Sequence, residues 1–249
     1  MVSIKSSREI ELMRDAGKIL GTAHNEIRDY IKPGISTYEI DKFAEKVVSR
    51  LGGKCSFYHL YDFPGNFCIS VNDEVIHGIP SKNKIIKDGD IIKIDGGVEY
   101  KGYNSDAART HIVGSVSNDI KDLVERTEKA FFEAIKVCID GNHVNDIGST
   151  IEDYIDKFGY GIVEDYVGHG IGTKVHEDPE IPNFRSTKKG IKLRNGMTLA
   201  IEPMINLGSY EVYVDKDEWT VKTEDGLPSA HYENTILITD NGPEILSLV

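Results

Sequence analysis

Cysteine is scarce in this chain: three in 249 residues, Cys55, Cys68 and Cys138, with no Cys-x-x-Cys pair. That excludes a disulfide framework and gives no sign of a zinc finger. No apolar run approaches the roughly 18 residues of a membrane span. The opening MVSIKSSREIELM turns charged and helical at once, without the apolar centre of a secretory signal. The expectation is a cytoplasmic protein that does not engage membranes. Positive charge is also short, with 29 Lys and Arg against 41 Asp and Glu and a net charge of −12. A surface of that sign argues against direct nucleic-acid binding, which needs a basic face. What remains is an ordinary globular composition, 39% apolar and 28% charged. It is long enough for a core that needs no staples.

The apolar residues show how the chain is organised. Ser6-x-x-Glu9 reads as a capping box, followed by Ile10, Met13, Leu20, Ala23 and Ile27 at helical spacing. Pro33-Gly34 stops that helix. Ser36-x-x-Glu39 opens another, which Gly52-Gly53 ends. Strand-like runs follow at 67–71, 91–95, 98–101 and 107–113. The order then repeats: two helical patterns, from Ile120 to Cys138 and from Ile147 to Phe158, and strands at 162–167, 197–205, 211–214, 220–223 and 231–239. The expectation is a single catalytic domain over 1–249. It would have two similar α+β halves, roughly 1–115 and 116–249, without a flexible linker.

Acids stand where apolar strands should exclude them. In IIKIDGGVEYKGYNSDAARTH, Asp95 closes one apolar run and Asp106 precedes another. Fully extended, the eleven steps between them would span roughly 36 Å. A hairpin folded near Tyr100-Lys101 would set the two carboxylates opposite each other. Gly96-Gly97 and Gly102 allow a bulge and a tight bend. Glu202 in LAIEPMI and Glu233 in AHYENTILIT each sit inside an apolar strand pattern. A buried carboxylate without a partner is costly, so each calls for a cation. His169 in VGHGIG stands between glycines, open to close approach by an ion or a substrate. Two divalent ions would balance the four carboxylates, which suggests a dinuclear centre. Oxygen-rich ligation with one nitrogen suits Mn, Fe, Co or Zn. At this level the protein reads as a metal-dependent hydrolase, and a two-metal phosphoesterase fits equally.

The motifs in order narrow this. SVNDEVIHGIP (70–80), IDGGVEYKGYNSDAART, GHGIG followed by HEDP (176–179), IEPMI, DEWTVKT (217–223) and SAHYENTILIT cover nearly the whole chain. Together they resemble type I methionine aminopeptidase in its short bacterial form. The resemblance implies the pita-bread fold, an α+β arrangement of two pseudo-symmetric halves of helices packed on antiparallel sheet. It implies removal of the initiator methionine from nascent proteins whose second residue is small, by a metal-bridged hydroxide. In that pattern Asp95 binds one of two divalent ions, His169 and Glu202 the other, and Asp106 and Glu233 bridge. Glu202 is the implied proton shuttle. His176 would polarise the scissile carbonyl, and His77 would contact the substrate near the scissile amide. Tyr58, Phe63, Cys68 and Trp219 are the candidates for the methionine pocket, whose apolar and aromatic walls suit a thioether.

Three positions depart from the family pattern. His231 stands where Gln is common, Val175 where a larger aromatic is usual, and the segment 60–63 is longer by a residue or two. The rival readings are an X-Pro aminopeptidase or dipeptidase of the same fold, and a non-catalytic ribosome- or RNA-associated relative. DEWTVKT points to the methionine enzymes, and the acidic surface speaks against the second rival. The expected partners are N-termini of nascent polypeptides, met at the ribosome, with the enzyme a monomer. The chain opens Met1-Val2, and a small second residue would let the enzyme trim its own methionine.

Overall fold

Ser6 and Ser36 each precede a helix whose third residue, a glutamate, reaches back to accept from the serine's backbone N–H. In the computed structural model, which describes residues 2–249, they precede α1 (Ser7–Tyr30) and α2 (Thr37–Arg50). The Ser6 N–H donates to Glu9 Oε2 at 2.7 Å, and the Ser36 N–H to Glu39 Oε2 at 2.8 Å. Both helices are followed by glycines in the left-handed region, Gly34 (φ 93°) and Gly52 (φ 88°). Met1, on which self-trimming rests, lies outside the described residues.

The strands of the first half are β1 (Lys54–Cys55), β2 (Cys68–Val71), β3 (Glu74–Ile76), β4 (Ile91–Tyr100) and β5 (Tyr103–Ile112). β4 and β5 form one long hairpin, and β1 and β2 share the other edge of β4. α1 lies across β4 and β5. Leu20, Ala23 and Ile27 pack there with Ile92, Ile94 and Val98 in one buried cluster. The second half opens with α3 (Asn118–Ala134) and α4 (Val144–Ile155). Its strands are β6 (Gly161–Ile162), β7 (Gly168–Gly170), β8 (Glu177–Ile181), β9 (Thr198–Ile201), β10 (Met204–Asn206), β11 (Val212–Val214), β12 (Val221–Thr223), β13 (Ser229–His231), β14 (Asn234–Thr239) and β15 (Gly242–Ile245). A five-stranded sheet runs β15-β14-β9-β7-β8, with three-stranded sheets β13-β10-β6 and β11-β12-β3 beside it. A second core joins Phe131, Ile147 and Ile151 to Leu199, Ile201 and Ile236. Helix pairs packed on antiparallel sheets in this order make the α+β pita-bread fold.

Two expectations change in detail. The hairpin turns at Lys101-Gly102, both with positive φ (51° and 87°), the two-residue turn that matches strand twist. Asp95 faces Ala108, and Gly97 faces Asp106. The two acids are therefore diagonal neighbours on one face rather than directly opposed. No bulge interrupts Gly96. It is glycine because a Cβ there would lie 2.0 Å from Cε1 of the buried Phe67 ring.

The apolar runs 197–205 and 231–239 are not continuous strands either. The first breaks at Glu202-Pro203 between β9 and β10, and the second at Tyr232-Glu233 between β13 and β14. At each break the chain passes from the three-stranded β13-β10-β6 sheet to the five-stranded one or back. Pro203 has no N–H to continue a ladder, and its carbonyl accepts from the Tyr232 N–H at 3.3 Å. The two breaks thus lie side by side.

Candidate metal centre and active site

Both glutamates occupy those breaks, where a side chain can turn out of the sheets towards the β4–β5 hairpin. Glu233 is tied to the hairpin by its backbone: its N–H donates to Ala108 O at 3.0 Å, and its carbonyl accepts from the Ala108 N–H at 3.3 Å. Arg109 adds a hydrogen bond to the Glu233 carbonyl and one of 2.6 Å to Asn234 Oδ1. Thr235 Oγ1 accepts from the Asp106 N–H at 2.8 Å and donates to Asp106 O at 2.9 Å. Four residues further along, the hydroxyl of Thr110 accepts from the His231 N–H at 2.9 Å and donates to its carbonyl at 2.8 Å. β5 and the 231–235 segment are therefore stitched together along the line on which the acids stand.

Asp106, His169 and Glu233 form the tightest group, with one ligand-type atom from each within 4.8 Å of the others. His169 Nε2 is 3.5 Å from Glu202 Oε1 and 4.0 Å from Asp106 Oδ2. Its Nδ1 lies 2.9 Å from Gly170 O. A proton on Nδ1 satisfies that contact and leaves the Nε2 lone pair facing the carboxylates, the tautomer a metal requires. Asp95 lines the same cavity and stands outside the tightest group. Asp106 Oδ1 and Glu233 Oε1 are buried with no hydrogen-bond partner. Orphaned acceptors of this kind, beside further carboxylates and an imidazole, fit divalent cations.

The electrostatics point the same way. Burial pushes the Asp106 carboxyl up to about 7. Burial, then the neighbouring Asp106, raises Asp95 well above the usual carboxylate range. Burial followed by Asp95 and Asp106 does the same for Glu202, and burial followed by Asp106 and Glu202 for Glu233. Without cations, burial and proximity disfavour the charged form of each of these acids. Burial also keeps His169 neutral, lowering it to about 4.

The glycines beside His169 have a different purpose from the one the sequence suggested. A Cβ on Gly168 would lie 2.5 Å from Ala200 O, and one on Gly170 would lie 2.1 Å from Asp178 O. They let β7 lie tightly between β9 and β8, rather than opening a path to the imidazole.

A cavity of about 950 Å³ spreads from the acids. His77 and His176 line it, as do Phe63, Cys68 and Trp219. His77 closes β3 in a left-handed conformation (φ 57°), its ring edge-on to Tyr166 at 5.6 Å. Burial, with His176 as a smaller contributor, lowers His77 to about 4. The apolar wall is Phe57, Phe63, Cys68 and Val175, with Leu60, Ile79 and Trp219 packed against it. Phe63 meets Trp219 edge-on at 5.2 Å. Tyr58 is not brought to this wall. It is 53% exposed, with its ring against His59. Its neighbour Phe57 is the buried one, and the more apolar ring of the pair takes the interior. Phe57, Leu60 and Tyr61 also line the cavity, from the stretch in which the pocket candidates stand. The signal was the aromatic alternation in SFYHLYDF, which favours whichever register buries the phenylalanines.

Comparison with known proteins accords with this geometry. Residues 11–240 match the metallopeptidase family M24. A methionine aminopeptidase of Clostridium perfringens is 51% identical over 249 residues, the full length of both chains. The crystal structure of methionine aminopeptidase from Thermotoga maritima covers 100% of both chains at 42% identity, with a TM-score of 0.98. Prolidase from Pyrococcus furiosus superposes with a TM-score of 0.80 at 27% identity, matching 99% of this chain and 65% of its own. No helix among the described residues is long and apolar enough to cross a membrane.

Proposed function

The chain belongs to metallopeptidase family M24, and we infer that it is a methionine aminopeptidase, which removes the N-terminal methionine from peptides whose second residue is small. The observation that carries this is full-length identity of 51% to such an enzyme, joined to an apolar cavity that opens onto a cluster of buried carboxylates. The prolidase is matched over only 65% of its length, which favours the methionine reading over its proline-specific rival. A buried set of four carboxylates and a neutral imidazole disfavours a non-catalytic role.

In this reading Asp106, His169 and Glu233 would hold divalent metal, with Asp95 extending the site on the hairpin side and Glu202 beside His169, a donor set large enough for two ions. Bound there, the ions supply Lewis-acid chemistry: they make water nucleophilic near neutral pH and polarise a carbonyl. The protein's own groups do the rest. Phe57, Phe63, Cys68, Val175 and Trp219 take the thioether side chain and exclude water. His77 contacts the scissile amide. A neutral His176, which burial holds below the usual imidazole range, donates a hydrogen bond to the scissile carbonyl oxygen. Glu202 has a side chain only 13% accessible. It takes the proton of the attacking water and passes it to the departing amine. The two halves, taken as 1–115 and 116–249, act as one catalytic domain because each contributes part of the site. The enzyme works as a cytoplasmic monomer, since its substrates are nascent chains emerging at the ribosome.

The test is a cleavage assay. Protein stripped with chelator and resupplied with Mn²⁺ or Co²⁺ is offered Met-Ala-Ser and Ala-Pro-Ser. Metal-dependent release of methionine from the first alone is expected. Cleavage of the second alone would move the protein to the proline-specific branch, and cleavage of neither would end the hydrolase reading.

A further inference from the structure

The turn beside the cavity holds a strained conformation that the mechanism above does not use. Phe57 and Phe63 are both buried and anchor its ends. Between them His59 (φ 63°), Tyr61 (φ 52°) and Asp62 (φ 70°) all lie in the left-handed region, and none is glycine. That region disfavours L side chains other than Asn or Asp, and a bulky residue there is an outlier. Hydrogen bonds from His59 N–H to Phe63 O at 3.0 Å, Leu60 N–H to Phe57 O at 2.9 Å and Phe63 N–H to Leu60 O at 3.0 Å hold the turn in place. Strain fixed so firmly beside a site calls for a reason.

The turn places the Tyr61 ring on His176. The two rings lie 5.8 Å apart at an interplanar angle of 17°, and Tyr61 lines the cavity while remaining 70% exposed. It takes no part in the buried wall formed by Phe57, Phe63, Cys68 and Val175. His176 has one other ring neighbour, His169, edge-on at 4.5 Å. No hydrogen bond between His176 and another side chain fixes the imidazole among the described residues, so ring contacts are what orient it. Phe63 packs with Val175 in the buried wall, and Tyr61 lies over the next residue, His176.

We propose that Tyr61 is a positioning residue for His176: its stacked ring holds the imidazole in the orientation that meets the scissile carbonyl. The proposal rests on the methionine aminopeptidase reading for its kinetic consequence and on geometry alone for the contact.

Both are measurable. In ion-free protein, ¹H–¹³C spectra of the histidine rings, with His176 assigned through His176→Gln, report the contact directly. Tyr61→Ala should shift the His176 ring signal by removing the ring current above it, and Tyr61→Phe should leave it in place. With Mn²⁺ and Met-Ala-Ser, Tyr61→Ala should lower kcat about tenfold with KM within about twofold, and Tyr61→Phe should restore kcat. An unmoved His176 signal overturns the proposal whatever the activity. So does a rise in KM at unchanged kcat, which would make Tyr61 a wall of the substrate pocket instead. If the wild-type enzyme releases no methionine, the functional reading fails, while the spectra still decide the contact.

Discussion

Asp106 and Thr235 exchange two hydrogen bonds, Asp106 N–H to Thr235 Oγ1 at 2.8 Å and Thr235 O–H to Asp106 O at 2.9 Å. A candidate ligand in the first half is thereby locked to a strand of the second. Thr235→Val keeps the shape and removes both bonds, leaving a buried N–H and carbonyl without this partner. We expect a loss of about 2–4 kcal/mol in stability, measured by denaturant unfolding, together with weaker Mn²⁺ binding. Unchanged stability would show that the two halves are held elsewhere.

The ion-free protein should become less stable as pH rises through neutrality. Asp106, raised to about 7, and Asp95, Glu202 and Glu233, raised well above the usual carboxylate range by burial and the neighbouring acids, bind protons when folded that the unfolded chain has released above about pH 4. Where the native state binds more protons, stability falls with pH. Below about pH 6.5 the buried neutral histidines His169 and His231, lowered to about 4 and about 3, act in the opposite sense. Lys93, lowered to about 7 by burial, opposes the trend above neutrality with a single proton. The expected melting temperature of stripped protein therefore falls between about pH 6.5 and 7.5, where Asp106 gives up its proton and the histidines no longer titrate. Stabilisation by saturating Mn²⁺ should grow over the same interval, because ions displace those protons.

Glu202→Gln separates chemistry from stability. It removes the proposed proton shuttle, and kcat for Met-Ala-Ser should fall by about 10²–10⁴. It also removes one acid from a mutually repelling set. The ion-free variant should melt higher than the wild type at pH 8, as seen by calorimetry. A variant that is both fully active and no more stable would contradict both roles.

Gly170→Ala tests why His169 is flanked by glycine. The new Cβ would meet Asp178 O at 2.1 Å, forcing β7 and β8 apart. Destabilisation of about 1–3 kcal/mol and reduced ion affinity are expected, because His169 shares the strand. A normal melting curve would mean that β8 gives way freely.

Much of the fold was legible because its signals are local. Capping boxes at Ser6 and Ser36 marked helix starts, and the acids of the β4–β5 hairpin stood out against Ile91, Ile92 and Ile94. Glu202 and Glu233 were conspicuous for the same reason, charge inside an apolar run. What the sequence could not convey was non-local. The strands around those glutamates break where the chain changes sheet, and only Pro203 hints at it. The diagonal placement of Asp95 and Asp106 depends on a turn whose second residue, Gly102, permits one register while the first, Lys101, gives no sign of it. Tyr58 and Phe57 are neighbours, and the more apolar ring of the two takes the buried wall.

The most direct measurement is Mn²⁺ binding to chelator-stripped protein by titration calorimetry, wild type beside Asp106→Asn. Two ions per wild-type chain, loss of the tight binding in the variant, and methionine release that rises with occupancy are the predicted results. An Asp106→Asn isotherm indistinguishable from the wild type would contradict the placement of the metal centre on which the account stands.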